Sequence, residues 1–349
     1  MLKKFKQATL GTLKTSGVFR LVESSRWRQR RLLILAYHGI SQLDEHRWDY
    51  TQFMTPELFR ERLRIIKESG CAVLPLGEAV ERLYSNDLPD KCVSITFDDG
   101  TADFYSRAFP LLKEFGFPVT LYLTTFYSHY NRPVFDVACS YVLWKGCGAT
   151  LDLKPVTGED AKVWLSSAEA RSQALRKIQA HARESKLSAE EKDALAARVA
   201  GQLGVDYDEI LKKRILHLLT PDEVKSLAVE GVDVELHTHR HRTPRDRELF
   251  MRELEDNRRS IREMTGKDAT HFCYPSGSYD PVFLPWLREA GVRSATTCEL
   301  GLASKDSDPL LLPRLLDIST LSRVEFASWL SGVSAALPQR RGAGKVAAY

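Results

Sequence analysis

Short apolar runs alternate with amphipathic segments along most of the chain. The runs are rich in aliphatic and β-branched residues, as expected of buried strands, and lie at 31–40, 71–76, 93–97, 119–125 and 232–236. Between them, apolar residues recur at helical spacing. This alternation predicts an α/β fold with a parallel sheet, open or closed into a barrel.

The rhythm breaks between about 127 and 219. Residues 166–203 are rich in Ala, Leu, Lys, Glu and Arg, which predicts two or more amphipathic helices inserted between core strands. The aromatic segment before them, 126–144, either borders a substrate groove or belongs to a core. Because no repeat or low-complexity linker is present, we predict one domain over 31–330 with this helical insertion. The stretch 331–349, rich in Ala, Gly and Arg, is predicted to be a mobile tail.

Charge is nearly balanced over the 349 residues, because 50 basic and 46 acidic side chains give a net charge of +4. This balance argues against nucleic acid as the main partner. Residues 1–30 differ, since they contain eight Lys or Arg and only Glu23 on the acidic side, with apolar residues interleaved. This basic amphipathic extension can lie on an anionic membrane surface. The plainer alternative, which we favour, is a helix packed on its own domain with a solvated basic face.

Neither a membrane span nor a secretion signal is evident. No stretch approaches the roughly 20 apolar residues that span a bilayer, and the N-terminal residues lack the continuous apolar core of a signal peptide. We therefore expect a cytoplasmic location. The six cysteines are dispersed without a CxxC pair, so we interpret them as reduced thiols rather than a disulfide frame or a zinc knuckle.

Reactive side chains follow two of the predicted strands directly. Asp98 and Asp99 end one strand, and the sequence HTHRH at 237–241 follows another. Because the carboxyl ends of parallel strands share one edge, we expect these groups to meet. His237 and His241 with one carboxylate make a three-ligand face that leaves positions open for water and substrate, as a hydrolytic metal site requires.

The two acids are expected to divide the work, one binding the metal and the other taking a proton. Each half of the pattern has a plainer interpretation when taken alone. An Asp-Asp-Gly sequence is a common turn signal, and a histidine cluster is often a surface loop. The occurrence of both at strand ends favours a site.

Three motifs together resemble the polysaccharide deacetylase family, of the NodB-homology or carbohydrate esterase 4 type. They are TFDDG at 96–100, the H-[ST]-x-x-H pattern at 237–241 and YPSG at 274–277, and the similarity spans roughly 32–319. The resemblance implies a single distorted (β/α) barrel. It also implies hydrolysis of the N-acetyl amide of an amino sugar with a divalent metal, most commonly zinc.

The resemblance also assigns roles to individual residues. Asp98 matches the general base that activates the attacking water, and Asp99, His237 and His241 match the metal ligands. The backbone N–H near Tyr274 would help to stabilise the oxyanion of the tetrahedral intermediate.

Two departures from the family pattern matter. Cys273 stands where members usually have an arginine, and no histidine follows His271 to supply the general acid. We predict His38 as the acid, because a circularly permuted branch that acts on poly-N-acetylglucosamine carries that histidine on its first strand. Arg314 can replace the lost arginine beside Asp98. The alternatives are a packed core histidine at 38 and a simple salt bridge at 314.

The expected substrate is an N-acetylated amino-sugar glycan or its precursor. Without a signal peptide, a lipid-linked or nucleotide-linked saccharide fits best, and the basic N-terminus favours the lipid-linked one. A related imide hydrolase or deformylase is an alternative, although the intact D-D and H-T-x-x-H set argues against it. A carbohydrate-binding barrel without catalysis is the other, and the missing late histidine is its main support.

Overall fold

Seven parallel strands form the central sheet of the protein, whose computed structural model describes residues 2–337. In chain order they are β1 (Leu33–Tyr37), β2 (Val93–Phe97), β3 (Thr120–Leu123), β4 (Asp233–Leu236), β5 (His271–Cys273), β6 (Ser294–Thr296) and β7 (Leu315–Leu316). Their spatial order is β6-β5-β4-β3-β2-β1-β7. All of these pairings are parallel, as the alternating pattern predicted.

The segment that contains β7 closes the sheet into a barrel. Leu312 forms a parallel bridge to Thr296 of β6, and its N–H donates to the carbonyl of Ala295 at 2.9 Å. Three residues later the same segment pairs with β1, where Leu315 lies opposite Leu35. Both edges of the sheet therefore meet at this segment, and the predicted distorted (β/α) barrel is confirmed.

Seventeen α-helices surround the barrel or extend from it within residues 2–337. Those that precede or flank the barrel strands are α1 (Leu2–Thr15), α2 (Val18–Glu23), α3 (Arg26–Gln29), α4 (Glu45–Trp48), α5 (Pro56–Glu68), α6 (Leu76–Tyr84) and α7 (Phe109–Phe115). Those from 135 to 212 are α8 (Phe135–Lys145), α9 (Lys154–Thr157), α10 (Ala168–Glu184), α11 (Ala189–Gln202) and α12 (Tyr207–Lys212). The last are α13 (Pro221–Val229), α14 (Arg247–Thr265), α15 (Phe283–Glu289), α16 (Arg323–Leu330) and α17 (Val333–Ala336).

Shorter elements complete the chain. A π-helical turn, Phe104–Ala108, leads into α7, and 3₁₀ turns occupy Phe126–His129 and Pro275–Gly277. The pair Gly39–Ile40 and Phe53–Met54 is parallel, whereas Thr150–Asp152 and Lys162–Trp164 form an antiparallel hairpin. The run at 71–76, predicted as a strand, makes only an isolated bridge from Val73 to Val93, because Pro75 ends it and α6 begins.

Strand side chains alternate between the helix layer and the barrel interior. Leu35 and Ile95 pack outward into the main core with α5, α7 and α14. Thr96, between such positions, faces inward. At the amino end of the barrel, α6 packs Leu76 against Ile34, and the N–H of Leu76 donates to the hydroxyl of Thr120 at 3.3 Å. Helix α6 therefore covers part of the amino end, whereas the Asp-Asp and histidine motifs lie at the opposite, carboxyl end of the strands.

The segment from 126 to 219 builds a separate hydrophobic core. Helices α8, α10 and α11 pack there with the hairpin around residues such as Val142, Ile178 and Val199. An isolated bridge from Pro133 to His217 joins the two ends of the segment, and another from Thr101 to Leu218 connects it to the barrel.

The N-terminal helices lie against the end of the domain. Leu10 of α1 and Phe19 of α2 pack with Val333 of α17, and the buried Arg28 donates to the carbonyl of Leu330 at 2.9 Å. Helix α17 falls in the segment predicted to be a mobile tail, and the rest of that prediction, 338–349, lies outside the described residues. Among the helices of the described chain, none is long and apolar enough to cross a membrane.

Candidate active site

Asp98 and Asp99 form a tight turn at the carboxyl end of β2. The N–H of Asp98 donates to the carbonyl of Tyr37 at 2.9 Å, which extends the β1–β2 pairing by one residue. Asp99 then takes a left-handed backbone (φ 70°), and Gly100 follows at φ 81°. A Cβ at Gly100 would lie 2.3 Å from a methyl carbon of Leu123, so glycine is needed there. This change of backbone conformation directs the carboxylates of Asp98 and Asp99 in different directions.

Asp99 meets both predicted histidine ligands. Its Oδ1 lies 3.1 Å from Nε2 of His237 and 3.2 Å from Nε2 of His241. The two imidazole rings are 5.0 Å apart, and the left-handed backbone of His241 (φ 54°) turns that ring back toward the strand end. Burial acts to lower the pKa of His241, but the charge of Asp99 raises it above its ordinary value. The three side chains that the sequence predicted as ligands therefore converge.

The donor set of this face fits a metal cation. Nδ1 of His237 lies 2.9 Å from the carbonyl oxygen of Cys273, which can only accept, so this nitrogen carries the proton. In the neutral ring, Nε2 then directs a lone pair at the carboxylate of Asp99. That arrangement is repulsive unless a proton or a cation lies between the two groups. A two-His, one-carboxylate set with open positions suits a divalent transition metal.

Helix α14 holds the histidine loop from behind. The side-chain oxygen of Asn257 accepts the N–H of His237 at 2.9 Å, and its amide donates to the carbonyl of Leu123 at 2.9 Å. One turn earlier, the buried carboxylate of Glu253 accepts the N–H of Arg240 at 2.8 Å. Neither residue was predicted from the sequence. The available signal was a pair of polar residues four apart on the apolar face of an amphipathic helix.

Thr238 and His239, in the same loop, form hydrogen bonds that hold its conformation. The hydroxyl of Thr238 accepts the N–H of Arg242 at 3.0 Å, which supports the loop. His239 turns away, with Nδ1 at 2.8 Å from the hydroxyl of Thr125 and its ring against Phe126. His239 is therefore separate from the metal-binding face.

Arg314 binds the carboxylate of Asp98 through two hydrogen bonds. Nη1 and Nη2 each donate at 2.8 Å, one to each carboxylate oxygen, and Nε donates to the carbonyl of Thr297 at 3.0 Å. Burial acts to raise the pKa of Asp98, but the guanidinium outweighs it and lowers that pKa to about 2. Asp98 is thus ionised, fixed in one orientation and 2% exposed.

Cys273 makes room for this arginine. Its sulfur lies 3.1 Å from Nη2 of Arg314 and 3.5 Å from a carboxylate oxygen of Asp98. Asp98, His237 and Cys273 also form a compact group of possible ligands. Because the guanidinium already occupies both oxygens of Asp98, the face at Asp99 is the better metal site. The arginine missing at 273 is supplied in space by residue 314.

His38 faces Asp98 from the end of β1. Its Nε2 lies 3.8 Å from a carboxylate oxygen of Asp98, beyond hydrogen-bond distance, and the side chain is 14% exposed. Its Nδ1 is buried, and no partner for it exists among the described residues. The ring therefore lies at the mouth of the barrel rather than within the packed core.

The N–H and the hydroxyl of Tyr274 both form hydrogen bonds within the fold. Its N–H donates to the carbonyl of Thr296 at 3.3 Å, and its hydroxyl donates to that of Leu310 at 3.1 Å. The N–H of Tyr274 itself is therefore already used between β5 and β6, and an oxyanion donor near Tyr274 stays a prediction. In the turn that follows, Ser276 has a left-handed backbone (φ 56°), and its N–H has no acceptor in the described part of the chain. Since Pro275 has no N–H, the N–H of Ser276 is the first along the chain after Tyr274 that is free to bind an oxyanion.

A sequence model of the polysaccharide deacetylase family matches residues 85–295, more than half of the chain. The chain belongs to the polysaccharide deacetylase family. YxkH of Bacillus subtilis (strain 168), assigned by name to the same family, is 21% identical over 89% of this chain and 81% of its own length. The poly-β-1,6-N-acetyl-D-glucosamine N-deacetylase of Escherichia coli (strain K12) is 27% identical over 28% of this chain and 14% of its own.

Solved structures share the fold. The Streptococcus pyogenes deacetylase PplD, in complex with acetate, has a TM-score of 0.56 at 19% identity and covers 88% of this chain and 99% of its own. IcaB from Ammonifex degensii has a TM-score of 0.53 at 17% identity, covering 86% of this chain and 97% of its own. The resemblance seen in the motifs is confirmed, and the chain is a hydrolytic polysaccharide deacetylase.

Proposed function

We propose that the protein removes the acetyl group from an N-acetylhexosamine unit of a glycan, with zinc as its metal and with separate duties for Asp98 and Asp99. One observation carries this division: Asp99 lies within 3.2 Å of two imidazole nitrogens, whereas Asp98 is bound through both oxygens by Arg314. Zinc held by Asp99, His237 and His241 would acidify a water molecule and polarise the acetyl carbonyl.

Asp98 receives the proton of the attacking water. Its pKa of about 2 keeps it ionised at neutral pH, and Arg314 holds the carboxylate still at the moment of attack. The guanidinium also makes the carboxylate a weaker base. Orientation is therefore gained at the expense of basicity, which would suit a water acidified by a cation held by Asp99, His237 and His241.

His38 and the turn after β5 act on the rest of the tetrahedral intermediate. The imidazole of His38, with a buried Nδ1 and a partly exposed edge, donates a proton to the leaving amine. The N–H of Ser276 donates to the developing oxyanion, in place of the N–H of Tyr274.

The substrate class follows from the relatives and from the chain itself. We infer a glycan of N-acetylglucosamine type, by analogy with the Escherichia coli poly-β-1,6-N-acetyl-D-glucosamine N-deacetylase. Six free cysteines, three of them buried, are typical of a reducing compartment and support a cytoplasmic location. A lipid-linked saccharide is the precursor that best combines this location with the basic N-terminal helices.

Metal analysis and acetate release from N-acetylglucosamine oligomers and lipid-linked saccharides test the proposal. Asp99→Asn should lose both metal and acetate release, whereas Asp98→Asn should keep the metal and lose acetate release. Absence of metal and of acetate with every substrate would refute the proposal. Release of formate or opening of an imide would point instead to the related hydrolases, and oligomer binding without any product to a non-catalytic barrel.

A further inference from the structure

The N-terminal helices have an inner side that packs and an outer side that does not. On the inner side, Leu10 and Phe19 are buried, and Gln7 donates to the carboxylate of Glu325 on α16 at 3.1 Å. On the outer side, Phe5 is 73% exposed and Leu21 is 71% exposed. Phe5 and Leu21 are thus large apolar side chains exposed to solvent, on helices that already pack on the domain through their other side.

This outer side is also strongly basic. We define the outer face as Lys4, Phe5, Arg20, Leu21 and Arg26, all of which are exposed. None of its three cations has an acidic partner among the described residues. The only acid of the first thirty positions, Glu23, is paired with Lys91 at 2.9 Å.

The start of α1 lies at the catalytic end of the barrel. Lys3 donates to the carbonyl of Thr320 at 2.8 Å, just after β7, and the neighbouring Ser319 donates its N–H to the carbonyl of Tyr50 at 3.1 Å. The carboxyl ends of β7 and β1 adjoin there, and β1 leads directly to His38. A surface that binds Phe5 would therefore lie beside the open end of the barrel.

We propose that the outer face binds an anionic lipid surface. Apolar side chains among unpaired cations match the boundary between acyl chains and acidic headgroups. Leu21 favours lipid over nucleic acid, because an aliphatic side chain offers no stacking plane to a base. The inference concerns binding alone, so it does not depend on the catalytic roles assigned above.

Vesicle sedimentation of the full chain tests the proposal. Binding is expected on vesicles of phosphatidylglycerol and phosphatidylcholine, to be weaker on phosphatidylcholine alone, and to fall as salt is raised. The pair Lys4→Glu and Arg20→Glu should lower the partition coefficient at least twentyfold, from about fivefold for each cation lost. The pair Phe5→Ser and Leu21→Ser should lower it by a similar factor.

A matched control exists on the opposite side of the barrel. Val229 of α13 is 82% exposed, and Lys225 one turn earlier is exposed as well, so Lys225→Glu with Val229→Ser should leave vesicle binding unchanged. All variants should release acetate from soluble oligomers at the parental rate. Equal binding to both vesicle types, insensitivity to the Phe5 and Leu21 changes, tighter binding to DNA, or a dimer that those changes dissociate would each overturn the proposal.

Discussion

The guanidinium of Arg314 binds both carboxylate oxygens of Asp98 at 2.8 Å, although 216 positions separate the two residues in the chain. A bidentate pair of this kind fixes the plane of the carboxylate as well as its charge. It also connects β2, which ends at Asp98, to the segment that closes the barrel. The carboxylate of Asp98 is therefore positioned by the closure of the fold.

Arg314→Lys should reduce acetate release about a hundredfold, because an ammonium group cannot hold both oxygens and the carboxylate loses its orientation. The lost guanidinium also lets burial raise the pKa of Asp98 from about 2. Since activity requires ionised Asp98, the acidic limb of the pH–rate profile should move to higher pH.

Arg62 supplies the control for that profile. It is a buried arginine bound through Nε to both oxygens of a different carboxylate, that of Asp317, at 2.9 and 3.2 Å. Arg62→Lys should lower the free energy of unfolding without moving the acidic limb. Identical profiles for the two variants would contradict a positioning role for Arg314.

His38→Gln should lower deacetylation of sugar amides by about a hundredfold to ten-thousandfold while the metal content stays unchanged. A phenyl acetate with a good leaving group needs no proton donor, so its hydrolysis should be largely retained. The exposed His129 offers the matched control, His129→Gln. Equal loss on both substrates would mean that His38 supports the site rather than acting as its acid.

Asn257→Leu should weaken metal binding about tenfold to a hundredfold, the effect typical of losing a group that orients a ligand. The buried N–H of His237 and the carbonyl of Leu123 would both lose their partner. Competition with a chelator measures the affinity. His239→Ala, in the same loop but bonded to Thr125, should change it much less. A reversed order would place the metal elsewhere in the loop.

Asp103→Asn should flatten the dependence of stability on pH. Asp103 is buried, and its carboxylate accepts the N–H of Ile40 at 2.5 Å. Burial raises its pKa to about 7, so the folded state binds this proton more tightly than the unfolded state does.

The contribution of that proton is complete below about pH 4 and is lost as the pH rises through 7, with an upper bound of about 4 kcal/mol. The amide has no such proton to lose. Urea unfolding at pH 5.5 and pH 8 should therefore give a larger difference for the parent than for the variant. Equal differences would show that Asp103 titrates normally.

The alternation of strands and helices was enough to predict a parallel sheet, and the two strand-end motifs were enough to bring His237, His241 and an aspartate to one point. The barrel and the choice of Asp99 came from the family resemblance. The prediction succeeded because each group directly follows a buried strand, and parallel strands place their ends together. The pairing of Arg314 with Asp98 was foreseen only by noting which arginine was missing.

Other features lay beyond the sequence pattern. The support from Asn257 and Glu253 depends on how α14 is rotated against β4, which helical spacing does not reveal. The N–H of Tyr274 is used because β5 pairs with β6, which brings the carbonyl of Thr296 next to it. The run at 71–76 resembled a strand by composition. It forms only the isolated bridge from Val73 to Val93 among the described residues, because Pro75 ends the extended segment and α6 begins.

The distance along the chain between Asp98 and Arg314 has a consequence for synthesis. At ordinary rates of translation, Asp98 leaves the ribosome about 10 to 40 s before its partner does. During that interval burial of the carboxylate would be unfavourable, because no guanidinium offsets its desolvation. The first strands should therefore remain open to solvent on the ribosome, and the nascent protein should depend on chaperones until the segment at 312–316 arrives.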